Sequence, residues 1–276
     1  MSEKKAEISQ AMKEKLTPKN FIKNPIKGTK YALMVSSAKG GVGKSTFAVN
    51  LAFALKNLGK KIGILDADIY GPSLPKLIGK NEKPENKDGK YIVPIDSHGV
   101  QCMSMGFLVE ETTPMIWRGP MVISAIKTLT ERVLWKDLDI IVIDMPPGTG
   151  DTQLTFAQDI KVDGAIIIST PQEVALLDVK RGIKMFDKLG VKILGLVDNM
   201  SYFTGDDGKK YKIFGEGGVK RTAEEFEKKF LGEIPINSEV GKCSDEGKPI
   251  VEANPEHEIS KIYLEFAKKI KSSYLI

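Results

Sequence analysis

Residues 36–46 read Ser36-Ser37-Ala38-Lys39-Gly40-Gly41-Val42-Gly43-Lys44-Ser45-Thr46. The glycines leave backbone N–H groups free to wrap a phosphate chain, because no Cβ blocks a close approach. Lys44 is placed to reach β- and γ-phosphate oxygens, and Ser45 to set its hydroxyl on Mg²⁺. Upstream, 31–35 is a short apolar run that reads as a buried strand. Downstream, 45–58 has helical spacing, with Phe47, Leu51, Ala54, Leu55 and Leu58 on one face. A strand, a glycine-rich turn and a helix N-terminus together make an anion site. The competing reading is a plain glycine turn between a strand and a helix. A nucleoside triphosphate and Mg²⁺ are the expected ligands, held by Gly40, Gly41, Val42, Gly43, Lys44, Ser45 and Thr46. The general loop pattern starts with glycine where this chain has Ala38, a change expected to alter the turn slightly.

Outward from this loop the chain alternates strands and helices. Apolar strands are expected at 61–65, 138–143, 164–169 and 191–197, and a short strand pair within 91–108. Helices are expected from the opening 117–120 to about 134, and over about 173–189, about 219–230 and 259–270, and 79–89 reads as a surface loop. Strands apolar on both faces, interleaved with helices, predict an α/β fold: a doubly wound, mostly parallel sheet with helices on both faces. Ligands in such a sheet sit at the carboxyl ends of the strands. Three carboxylates fall there. Asp144 precedes Pro146-Pro147-Gly148 and is expected to hold Mg²⁺ opposite Ser45; Gly148 offers an unobstructed N–H to the γ-phosphate. Asp68 is the candidate for orienting the attacking water, with Asp66 nearer the metal. Any one of them alone could equally be a helix cap.

Several longer stretches resemble one family. Ile64-Leu65-Asp66-Ala67-Asp68-Ile69-Tyr70-Gly71-Pro72-Ser73, Met103-Ser104-Met105-Gly106-Phe107, Trp117-Arg118-Gly119-Pro120 and Asp144-Met145-Pro146-Pro147-Gly148-Thr149-Gly150-Asp151 are similar to signatures of the Mrp/NBP-type ATPases, relatives of the cell-division ATPase MinD. Ser169-Thr170-Pro171-Gln172, Asn199-Met200-Ser201-Tyr202-Phe203, Ile213-Phe214-Gly215 and Gly232-Glu233-Ile234-Pro235 extend the likeness over about 28–270. The resemblance implies a homodimeric, slowly turning ATPase that carries or inserts iron–sulfur clusters and serves apoprotein clients or other assembly proteins. It implies that Lys39 reaches the nucleotide of the partner subunit, as in the deviant P-loop ATPases, and that Asn199 and Pro235 flank the adenine. It also implies a Cys-x-x-Cys pair after the Asn-Met-Ser motif, where this chain has Phe203-Thr204-Gly205-Asp206-Asp207-Gly208-Lys209-Lys210-Tyr211. Asp206 and Asp207 are hard oxygen donors and poor substitutes for thiolates. The alternative within the same likeness is a MinD-like dimerisation switch without a cluster, with 268–276 as a faint basic amphipathic tail. The stripe Ile259, Ile262, Tyr263, Phe266 and Ile270 fits a core-facing helix better.

The net charge of +5 resides in residues 1–30, with eight lysines against three glutamates; the remainder is balanced. Residues 1–27 are therefore expected to be a flexible basic leader, and 28–276 a single P-loop domain. A neutral body offers little to nucleic acid. No apolar run reaches the roughly 20 residues of a membrane span, and a cytoplasmic location is the default expectation. The two cysteines, Cys102 and Cys243, do not suggest a disulfide framework. Cys102 is expected to be a small buried residue and Cys243 to lie in a polar loop.

Overall fold

The computed structural model describes residues 23–109 and 119–274. Trp117, Arg118, the first 22 residues and the last two lie outside the described residues. Strand β1 (Thr29–Ser36) leads through the glycine loop into helix α1 (Lys44–Asn57), then β2 (Ile62–Asp66) and the short α2 (Leu74–Leu77). Two-residue strands β3 (Asn86–Lys87) and β4 (Tyr91–Ile92) pair with each other, and β5 (Ile95–Ser97) runs antiparallel to β6 (Val100–Ser104). There follow α3 (Gly119–Glu131), β7 (Leu138–Asp144), α4 (Asp151–Asp159), β8 (Gly164–Ser169), α5 (Glu173–Lys188) and β9 (Ile193–Thr204). The chain closes with β10 (Lys210–Tyr211), α6 (Gly218–Glu225), β11 (Phe230–Ile236), α7 (Ser238–Asp245), α8 (Ile250–Ala253) and α9 (Glu258–Tyr274).

Among the described residues the main sheet has nine strands, in the order β10-β9-β8-β1-β7-β2-β6-β5, with β11 also on β9. Its body is parallel; only the pairs β5–β6 and β9–β10 are antiparallel. Ala32–Val35, Ile140–Ile143 and Ala165–Ile168 are buried, as strands covered on both faces must be. The chain leaves β1 toward β2 on one side and continues from β8 to β9 on the other. Right-handed crossovers then put α1 and α5 on opposite faces and open a crevice at the carboxyl end of β1.

Helix α1 is buried nearly all round, beyond the single stripe its spacing suggests: Phe47, Leu51, Phe53 and Leu55 are all fully buried. The reason is α9, whose Tyr263 and Phe266 rings lie 5.7 Å from Phe47 and cover the outer side of α1. Ile259, Tyr263, Phe266 and Ile270 are core residues, so the C-terminal stripe is spent inside the fold.

Three expectations need correction. Residues 23–27 belong to the body: Ile26 is buried, Asn24 N donates to Asp159 O (2.9 Å), and Lys23 Nζ to Leu189 O (2.9 Å). A lysine-rich composition concealed one apolar anchor and backbone pairing that only the folded neighbours supply. The helix at 219–230 ends at Glu225, and Phe230 opens β11, because Glu227 takes a left-handed φ of 53° and breaks the helix. Cys243 sits in α7 and is 3 % exposed, turned inward by a helix missed in the polar stretch 238–245.

Candidate functional site

Strand register brings the site together. Val35 and Asp66 both lie opposite Asp144, and Ser104 lies opposite Asp66, so four strands end in one row. Just beyond β1 the glycine loop turns back over this row, with Gly41 and Gly43 at positive φ. Lys44 Nζ lies 2.5 Å from Asp144 Oδ1 and 3.2 Å from Ser45 Oγ. Lys44 and Asp144 are both buried, so the two charges compensate each other out of water. Lys39, by contrast, is exposed at the loop's outer edge, and Ser37 Oγ donates to its carbonyl (2.9 Å).

Asp66 is fully engaged. Its Oδ1 accepts from Asp68 N (3.0 Å); its Oδ2 accepts from Ser73 N (3.0 Å), Leu74 N (3.1 Å) and Ser104 Oγ (3.0 Å). Burial and then the Asp144 charge push it up to about 7, against the pull of those donors and of Lys44. In this arrangement Asp66 shapes the 67–74 loop. Asp68 is half-buried, and burial raises it too; Gly71 N donates to its Oδ1 (3.2 Å). A cavity of about 360 Å³ opens beside it, walled by Tyr70, Pro146, Pro147 and Gln153.

The turn after β7 is tied to the glycine loop. Gly148, at φ 94°, donates its N–H to Ser37 O (2.9 Å), so a phosphate oxygen would have to replace that acceptor. Gln153 Nε2 donates to Pro146 O (2.5 Å), and Ser36 Oγ donates to Gln153 Oε1 (3.3 Å). Neither Ser36 nor Gln153 was among the sequence candidates, although a glutamine three residues after the last turn glycine, Gly150, was open to notice as a polar side chain near the strand ends. On the other flank, Asn199 is buried on β9 and donates to Val42 O (2.7 Å), and Pro235 is buried on the neighbouring β11. Asp198, beside Asn199, has no exposure, and among the described residues neither carboxylate oxygen has a hydrogen-bond partner.

The hard oxygens of Ser45 and Asp144 next to an ammonium suit Mg²⁺ with a phosphate chain. Thiolate chemistry is another matter. Cys102 and Cys243 are both buried, and burial raises both thiols. In the β9–β10 hairpin Asp207 accepts from Lys209 N (3.0 Å) and Tyr211 OH (2.9 Å), which closes the turn with its own side chain. Among the described residues no group of three or more His, Cys, Asp or Glu could hold a metal ion. The chain's own residues do not fit an iron–sulfur cluster.

A parallel sheet with the glycine loop after its central strand, a buried lysine–aspartate pair beneath it and carboxylates at neighbouring strand ends define a P-loop NTPase of the MinD/ParA type. Residues 28–271 match the family model described as NUBPL iron-transfer P-loop NTPase, and the chain belongs to that family. It is 51% identical over 245 residues to the iron-sulfur protein required for NADH dehydrogenase, mitochondrial, of Arabidopsis thaliana, covering 88% of this chain and 78% of that one. It is 48% identical over 247 residues to the iron-sulfur cluster carrier protein of Escherichia coli K12, covering 89% and 67%. Among solved structures it resembles a nucleotide-binding protein from Archaeoglobus fulgidus in complex with ADP (TM-score 0.72, 39% identity, 81% and 88% covered). The cell division ATPase MinD of Pyrococcus furiosus shares the fold (TM-score 0.64, 22% identity, 88% and 99% covered). The relatives include mitochondrial and bacterial proteins. Among the described residues no helix is long and apolar enough to cross a membrane.

Proposed function

We propose that this protein is an ATP-hydrolysing, nucleotide-gated homodimer that handles iron–sulfur clusters for client apoproteins. The observation that carries the reading is the buried Lys44–Asp144 pair under a phosphate loop whose second lysine, Lys39, stays exposed. Residues 40–46 wrap the phosphates with their N–H groups. Lys44 leaves Asp144 for the β- and γ-phosphate oxygens, and Ser45 and Asp144 hold Mg²⁺, with Asp66 ordering the loop beside it. Bound Mg²⁺ neutralises phosphate charge. Asp68 orients the attacking water from the side of the cavity, Asn199 and Pro235 flank the adenine, and Lys39 stabilises the charge on the partner subunit's nucleotide. Gly148 exchanges Ser37 O for a γ-phosphate oxygen, which moves the Pro146-Pro147 turn with the state of the nucleotide. The cluster is cargo. Its thiolates come from client or assembly proteins, since the two thiols here are buried. Burial of Ile259, Tyr263, Phe266 and Ile270 and the balanced charge of residues 31–276 favour this reading over a membrane- or DNA-positioning switch.

Lys39→Ala tests this reading. Hydrolysis should fall about 10³-fold, as for removal of a charge-stabilising finger. ATP-dependent dimerisation in analytical ultracentrifugation should disappear, while monomeric ATP binding persists. Unchanged hydrolysis and dimerisation would sink it.

A further inference from the structure

Taking 40–46 as the phosphate loop, as proposed above, we infer that Asn199 is a positioning residue of that loop, backed by a bulge that turns Met200 onto the same turn. Asn199 Nδ2 donates to Val42 O at 2.7 Å, across 157 residues of sequence, with both residues buried. The acceptor is a carbonyl, so chemistry alone dictates that the amide turns its NH₂ toward the loop. Removing that donor would leave a buried carbonyl at the middle of the glycine turn without a partner.

The neighbouring residue makes the same approach. Gly43 has φ 81°, and a Cβ built on it would collide with the Asn199 amide and meet Met200 Cε at 3.7 Å. Consecutive side chains in a regular strand point to opposite faces, yet Asn199 and Met200 both reach Gly43. The cause is local. Met200 takes a left-handed φ of 56°, and the β9–β11 register shifts between Ile234 and Ile236. That is a bulge, which re-aims side chains at the cost of backbone strain. Ser201 Oγ donates to Ile234 O (3.1 Å) and pins the far side of the bulge. Asn199 and the bulge behind it therefore seat Val42 and Gly43 from a distant strand before any nucleotide arrives.

A residue that acts only through the base and one that seats the loop differ toward a ligand that has no base. The probe is magnesium tripolyphosphate, compared with ATP by calorimetry on the full chain. Asn199→Ala should weaken tripolyphosphate about tenfold, the scale of one buried hydrogen bond, and ATP by at least as much. Amide hydrogen exchange at Gly43, Lys44 and Ser45 should quicken in the ligand-free protein. Asn199→Asp, whose ionised carboxylate cannot donate to Val42 O, should at about pH 8 weaken both ligands at least as much as the alanine variant does. Should Asn199→Ala not fold, Met200→Gly keeps the bulge, drops the side chain on Gly43 and should still give faster exchange there. Loss of ATP affinity with tripolyphosphate unchanged overturns the inference, as does unchanged exchange in both the aspartate and glycine variants. Wild-type protein that binds neither ligand would instead remove the nucleotide-site reading on which this one stands.

Discussion

Lys44 and Asp144 show how one residue pair serves two states. With 6% and 3% of their side chains exposed, each supplies the opposite charge that compensates the other's lost hydration. Truncating one partner leaves an isolated buried charge, which costs about 3–5 kcal/mol, whereas replacing both with neutral groups of similar size costs much less. Lys44→Ala is thus expected to lower unfolding free energy in urea by that amount, and Lys44→Met with Asp144→Asn to recover most of it. Asp198 makes the opposite case, a buried carboxylate with no hydrogen-bond partner among the described residues. Burial and then Glu233 push it up to about 7, well above the usual carboxylate range. Between about pH 4 and 7 the folded state holds a proton that the unfolded chain has released, so stability falls as pH rises through that window. Relative to wild type, Asp198→Asn should gain roughly 2–4 kcal/mol across it and hold a constant difference above. A flat difference across the window would show that Asp198 ionises freely. Nothing in Val197-Asp198-Asn199 distinguishes the two polar side chains; the alternation of a strand sends one to the loop and the other into the packing.

At the level of elements, α9 covers α1, and α1 carries the phosphate loop on its first turn. Phe266 touches Phe47 three residues beyond Lys44, with rings at 5.7 Å and an interplanar angle of 65°. Phe266→Ala is expected to cost about 3–5 kcal/mol through the cavity it leaves. The expected sign in hydrogen exchange is faster opening of α1 than of β7, because the sheet keeps its other cover. Equal protection in both elements would show that α9 is not what holds α1. The apolar spacing at 259–270 announced this helix, and the chain outside it said nothing of its target. Helices α4, α7 and α8 were not legible, since each is short and is stabilised by docking rather than by a stripe of its own.

For the molecule as a whole, the question is what becomes of the cluster. Both cysteines are buried, one on β6 and one on α7, and Asp207 already closes the hairpin in which the family resemblance expected thiolates. Anaerobic reconstitution with iron and sulfide should therefore leave no cluster on the chain after desalting. A stable chromophore abolished by Cys102→Ser or Cys243→Ser would show that the fold opens to expose them. Residues 36–46 determined the phosphate loop, because close approach to phosphate demands glycine and a lysine at fixed spacing, and the flanking runs 31–35 and 45–58 determined its strand and its helix. The apolar runs determined the parallel sheet, because strands covered twice leave no room for alternation. Only the tertiary structure decided what those elements hold between them. It anchored 23–27 to the body, filled the oxygens of Asp66 with donors from its own loop, hid Cys243 and turned Asn199 onto Val42. Each of these depends on a partner more than a few positions away or on a strained backbone angle, and register, packing and bulges are set by the whole chain at once.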